Sequence, residues 1–110
     1  MGAEHSLGEF EELVLLLVAA NNKEAYGVLI LENLERKLGK KVNVSAVHVA
    51  LKRMENKGFV ESSFGGITNE RGGRRKKYYN ITSIGKQVLD LQYEVRTSIY
   101  QQIPKISFGQ

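Results

Sequence analysis

Cysteine and tryptophan are absent from this chain, proline occurs once and histidine only twice. Without Cys there are no disulfides and no thiolate chemistry, which fits a reducing compartment, so a cytoplasmic location is expected. His5 and His48 belong to no His, Cys and carboxylate cluster at metal-ligand spacing, so neither a metal nor a cofactor is expected. The Gly-rich stretches lack a phosphate-loop pattern, and an enzyme is not expected. Long apolar runs are also missing. The longest, Leu13 to Ala20, falls far short of the ~18 residues of a membrane span and reads as a buried helix. No apolar segment follows a basic N-region, so no secretory signal is expected. Met1-Gly2 with Ser6 matches the myristoylation pattern formally, but Ser6 is better used as a helix cap, and no membrane partner is expected.

What is present suits a single globular domain. The 110 residues are 42% apolar and 25% charged, enough for a modest core. The net charge of +4 is unevenly placed: Arg71, Arg74, Arg75, Lys76 and Lys77 supply five of the sixteen Lys and Arg. Such local concentration points to an anionic partner. Taken alone, the cluster is equally well read as a solvated loop.

Periodicity sets the order of elements. Ser6-Leu7-Gly8-Glu9 has the form of a capping box. Phe10, Leu13, Val14 and Leu17 then recur at helical spacing, with Asn21 and Asn22 as the end. A second helix is predicted from about Lys23 to Leu38, with Gly27, Ile30, Leu31, Leu34 and Leu38 on one stripe and Gly39 as its stop. Glycine inside a helix is unfavourable by up to ~1 kcal/mol, so close packing is expected at Gly27. After a short connection, with a brief strand at Lys41 to Val44, Ser45 is the expected cap of a third helix buried through Val47, Ala50, Leu51 and Met54. Gly58 ends it. Phe59 to Phe64 and Lys76 to Ile81 read as a hairpin with a long Gly-rich tip. Thr82 then caps a fourth helix reaching about Ile103, before Pro104.

Three helices, a hairpin and a further helix are the order of a winged helix-turn-helix with one extra helix. The fold class is mainly α (α+β). Residues 1–82 form the expected winged helix-turn-helix DNA-binding domain, and 83–110 a C-terminal dimerisation helix and tail.

The third helix is the candidate reader of double-stranded DNA. Opposite its buried stripe lie Ser45, Val49, Lys52 and Asn56, flanked by His48 and Arg53. Cationic groups can donate to guanine or phosphate, and Val49 can meet a thymine methyl. Ser45, at the helix start, suits a phosphate as well as a cap. In the hairpin, Gly72-Gly73 permits a tight bend, and Arg71, Arg74, Arg75 and Lys76 would neutralise phosphates or enter the minor groove. Tyr79 shares a strand face with Ile81 and is assigned to the core, which leaves Tyr78 for a phosphate contact.

The fourth helix has more apolar surface than one domain needs. Ile84, Val88, Leu91 and Val95 make one stripe, with Leu89, Tyr93 and Tyr100 nearly opposite. The second stripe calls for the same helix of another subunit. A homodimer interface is therefore expected at Val88, Leu89, Leu91, Tyr93, Val95, Ile99 and Tyr100. Two recognition helices would then read half-sites about one DNA turn apart.

Several segments together resemble the PadR family of bacterial transcriptional regulators, in its short form with one C-terminal helix. They are Gly8-Glu9-Phe10-Glu11, Ala25-Tyr26-Gly27, Ser45-Ala46-Val47-His48, Leu51 to Gly58, and Gly73 to Thr82 with Gly85. The resemblance runs from Leu7 to about Val95. It implies a dimeric repressor whose DNA contacts fall at Ser45, His48, Lys52, Arg53, Arg74, Arg75 and Lys76. Family members often control detoxification or efflux genes, and some release DNA on binding a small aromatic or hydrophobic effector at or near the dimer interface. Here such an effector would find Tyr93, Tyr100, Phe10 or Phe108 for stacking. The chain departs from the family at His48, where Tyr is usual, and at Val49, which bears on base preference rather than on DNA binding.

The rival reading is a winged helix used for protein–protein assembly or RNA binding without operator specificity. The polar-to-basic face of the third helix favours duplex DNA, since a protein-binding face would be partly apolar or acidic. Single-strand RNA readers display aromatic platforms, which this helix lacks.

Overall fold

A computed structural model describes residues 7–65 and 76–109. In chain order the elements are α1 (Glu9–Ala20), α2 (Gly27–Leu38), α3 (Val44–Asn56), β1 (Val60–Phe64), β2 (Lys77–Ile81) and α4 (Ser83–Tyr100). The two strands pair antiparallel from Val60↔Ile81 to Phe64↔Lys77. This is the expected α+β winged helix-turn-helix order. The hairpin tip, with Arg71, Arg74 and Arg75, lies outside the described residues, as does Ser6.

α1 is the central helix, packed against α2, α3, β2 and α4. That crowding moves its buried arc from the predicted one. Val14, Leu15 and Val18 are fully enclosed, while Phe10, Leu13 and Leu17 are only partly buried. The same core takes Ile30 and Leu34 from α2, the predicted Val47, Ala50, Leu51 and Met54 from α3, and Phe59, Val60 and Tyr79 around the hairpin. Fully burying one such aliphatic or aromatic side chain contributes ~1.5–3 kcal/mol.

Local signals held at the turns. Gly39 takes φ +69 as the C-cap of α2, and its N–H donates to Glu35 O; Gly58 at φ +82 follows α3. Left-handed backbone of this kind is cheap only for glycine. The Thr82 hydroxyl accepts from Gly85 N at 3.1 Å and donates to Gly58 O at 2.6 Å. It therefore caps α4 and ties it to the end of α3.

Other boundaries differ from expectation. Gly8, not Ser6, occupies the N-cap of α1, with no side-chain cap; Glu9, Glu11 and Glu12 fill the first turn, where carboxylates favour the helix dipole. α2 starts four residues later than predicted. Lys23 adopts φ +72, and Ala25 is drawn into a bridge with β2, its carbonyl accepting from Tyr79 N at 2.8 Å. Lys41–Val44 forms no strand: Val42 N donates to Glu35 Oε2 at 3.0 Å, and α3 already begins at Val44. Ser45 does not cap α3. Asn43 does, its side chain accepting from Ser45 N at 2.7 Å. α4 ends at Tyr100, not Ile103, through turns in which Gln102 N donates to Ile99 O and Ile103 N to Tyr100 O.

The division of α4 is the largest correction. Val88 and Leu89, expected at a subunit interface, are buried with Gly85 in the chain's own core. The helix turns this edge inward because Gly85 lets its backbone close on the start of the hairpin. An ideal Cβ at 85 would stand 2.2 Å from Phe59 O. Leu7 N donates to Gln92 Oε1 at 2.8 Å, and Arg96 pairs with Glu12 at 3.0 Å. These contacts bind the inward edge to the start of α1.

Candidate nucleic-acid interface

α3 sorts its residues as a reading helix should. Val47, Ala50, Leu51 and Met54 face the core, whereas Ser45, His48, Val49, Lys52 and Arg53 are all exposed. Asn43 starts the helix, and the exposed side is left to a polar-to-basic set with Val49 in its midst. A groove borders α3 on each side.

The hairpin-side groove, of about 460 Å³, is lined by Tyr26, Gly27, His48, Lys52, Glu55 and Lys76, among others. It joins the start of α2, one flank of α3 and the root of the wing. Lys76 is held there with its Nζ 4.3 Å from the centre of the Tyr26 ring, an attraction between a cation and the negative ring face. Tyr78 meets the same Tyr26 edge-on, with ring centroids 5.7 Å apart. Half-buried in this way, Tyr78 braces the wing root. Tyr79 occupies the predicted core position, and burial foremost, then the Glu55 charge, raises its hydroxyl pKa.

Glu55 is the one acidic residue lining that groove among the described residues. It accepts from the Ser62 hydroxyl and pairs with Lys77 at 3.6 Å. The Ser62 hydrogen bond is the main cause of a carboxyl held below its usual range, with Lys77 and Lys52 adding to it against the opposing effect of burial. Lys77 is thus partly neutralised within the chain, and Lys52 and Lys76 are the cations that face outward.

The opposite groove runs between α3 and the start of α1, past Gly8, Phe10, Glu11, Val49 and Arg53. Here Glu11 stands 3.6 Å from both Arg53 and Lys57. The expected DNA contact Arg53 therefore has an internal acidic partner on α1.

Sequence reasoning missed Tyr26, Asn43 and Glu11. Tyr26 and Gly27 fell within a segment resembling the family, so a signal existed for them. Glu11 also fell within such a segment, Gly8-Glu9-Phe10-Glu11, but its place in the first turn gives it no role apart from Glu9 and Glu12.

On α4, Leu91, Tyr93, Val95, Ile99 and Tyr100 are exposed, unlike Val88 and Leu89. Beyond Arg96 the helix and tail carry further uncovered apolar groups, Ile103, Ile106 and Phe108. An apolar hollow is lined by Tyr93, Val95, Arg96, Ile99, Tyr100 and Ile103, with neighbouring polar groups. No helix among the described residues is long and apolar enough to cross a membrane, and no cluster of metal-ligating side chains occurs among them.

Comparison with known proteins agrees with this geometry. An uncharacterised protein of Lysinibacillus sphaericus is 29% identical over 84 residues, covering 74% of this chain and 72% of the relative. The crystal structure of a PadR family transcription regulator from hypervirulent Clostridium difficile is 28% identical, with a TM-score of 0.70 over 86% of this chain and 93% of that one. RosR of H. salinarum is 26% identical, with a TM-score of 0.69 over 89% and 81% of the two chains. The sequence pattern of the PadR-like family matches residues 15–91, from the middle of α1 into α4. Carrying that pattern on the winged helix-turn-helix that goes with it, the chain belongs to the transcriptional regulator PadR-like family.

Proposed function

We propose that this regulator is a sequence-specific repressor that binds double-stranded DNA as a homodimer in the cytoplasm. The observation that carries the reading is the clean division of α3. Its apolar stripe is sealed in the core, while Ser45, His48, Val49 and Lys52 stand exposed beside Lys76 at the wing root. A helix so presented fits the major groove. Arg53 joins this face once its pairing with Glu11 loosens. Arg71, Arg74 and Arg75, outside the described residues, would meet phosphates from the wing, whose root Tyr78 supports.

The exposed side of α4 supports the dimer. Leu91 and Val95 form one uncovered ridge, and Tyr93 and Tyr100 another. A second copy of α4 is the simplest cover for such a surface. The hollow between Tyr93 and Ile103 suits a small aromatic or hydrophobic effector, which would release the operator by changing how the two helices pack.

Fluorescence anisotropy tests the reading. The duplex upstream of the protein's own gene is compared with a scrambled duplex at two salt concentrations. Preference for the former by ~10³-fold or more is expected of a specific regulator. Equal, weak and salt-sensitive binding to both, persisting after unbiased site selection, would instead favour a winged helix serving protein assembly or RNA.

A further inference from the structure

Gly27 opens α2 at a place where its backbone has no need of glycine. Its φ lies outside the left-handed region, and alanine is the better helix former. The reason for glycine stands across the groove. An ideal Cβ at 27 would lie 2.9 Å from His48 Cε1, 3.5 Å from Nδ1 and 3.7 Å from Nε2, and these are its three nearest neighbours. The imidazole rests on the bare Cα of Gly27, folded back from the exposed face of α3 toward the start of α2.

That seat puts the ring among donors. Lys52 is one turn further along α3, and Lys76 is pinned over Tyr26 on the other side of the same groove. The first backbone bond of α2 runs from Ile30 N to Tyr26 O. Tyr26 offers no side-chain cap and the first turn of α2 holds no acid, so the Gly27 and Val28 N–H groups add to the positive character of this wall. Glu55 lines the same groove, but its carboxylate is engaged by the Ser62 hydroxyl and Lys77.

We propose that Gly27 is a positioning residue, which seats the His48 ring so that the imidazole, Lys52 and Lys76 together grip one phosphate of the duplex backbone. The proposal rests on the DNA-binding reading above and adds to it a coupling between α2 and the recognition helix. An imidazole N–H and two ammonium groups line one groove, His48 and Lys52 from α3 and Lys76 from the wing root, and a set of such donors suits a tetrahedral oxyanion. A base edge is the weaker fit, because the ring is drawn back toward α2 rather than outward along the centre of the reading face. Phosphate contacts set register and hold all sequences alike.

Gly27→Ala separates this role from folding. The atom in the way is the tip of an exposed side chain, so the ring swings aside and the variant melts at or above the wild-type temperature. We expect Gly27→Ala to weaken operator and scrambled duplexes by the same factor, about fivefold, and His48→Ala by about tenfold. The double variant should bind like His48→Ala alone, since Gly27 then has no ring to seat. Additive losses, a loss confined to the operator, or wild-type affinity in Gly27→Ala would each overturn the proposal. Should the wild type bind no duplex, the DNA-binding reading itself is at fault. The seat is then judged by titrating inorganic phosphate while following the His48 ring signals by NMR, assigned with His48→Ala. A shift in wild type that is lost in Gly27→Ala supports it, and equal shifts or none in the wild type overturn it.

Discussion

Arg53 on α3 lies 3.6 Å from the Glu11 carboxylate on α1. The pair is lopsided: the Arg53 side chain is 67% exposed, whereas that of Glu11 is only 13% exposed. Lys57 approaches the same carboxylate. One acid therefore holds two cations, which in the proposed DNA-bound state would be drawn away from it toward the phosphate backbone.

Removing that acid should strengthen DNA binding. Ion pairs with one exposed partner are loosened by solvent and contribute only ~0.2–1 kcal/mol each, so Glu11→Gln is expected to tighten binding to any duplex roughly two- to fivefold at low salt, with the gain fading as salt rises. Anisotropy titrations at two salt concentrations decide it. Unchanged or weaker binding would show that Arg53 and Lys57 do not face DNA.

Gly85→Ala should destabilise the fold. A Cβ there meets the Phe59 carbonyl oxygen at 2.2 Å and its carbon at 3.0 Å. Both are backbone atoms, so α4 would have to move off the hairpin. Overpacking of this sort costs ~1–3 kcal/mol, which for a domain of this size lowers Tm by about 4 °C or more. A thermal melt by circular dichroism gives the answer, and an unchanged Tm contradicts the close approach.

Two substitutions on α4, seven residues apart, should behave differently. Val95 is exposed and Val88 is buried in the chain's own core. Val95→Glu is expected to give a folded monomer in sedimentation with loss of tight operator binding, because it places an unpaired charge in the proposed subunit contact. Val88→Glu should instead abolish cooperative unfolding, since the charge has no exit from the core. A Val95→Glu dimer as stable as wild type would refute the α4 contact.

Acid should loosen the junction between α3 and β1. The Ser62 hydrogen bond, with help from Lys77, lowers the pKa of Glu55 in the folded chain. A depressed carboxylate adds stability above its ordinary value of 4.5, and that contribution is lost as pH falls through the lower folded value. Glu55→Gln and Ser62→Ala should therefore lower the urea midpoint at pH 7, by an amount that shrinks at acid pH. A deficit constant with pH would mean that ionisation of Glu55 does not contribute.

Much of this architecture was legible in the residues because its signals are local. Thr82 caps α4 and Gly39 stops α2 through contacts within a few residues, and the α3 stripe of Val47, Ala50, Leu51 and Met54 follows from the helical repeat alone. The hairpin and the inward-facing Tyr79 follow from strand alternation and turn chemistry. What tertiary structure decided depends on neighbours distant in sequence. Ala25 left the expected helix because Tyr79 offered it a strand partner. Glu11 met Arg53, and Gly27 met His48, only because α1 and α2 both close on α3. α4 has apolar residues around most of its girth, so periodicity could not say which edge turns inward. Gly85 settled it by letting the helix backbone approach Phe59, which buried Val88 and Leu89 and left Leu91 and Val95 outside.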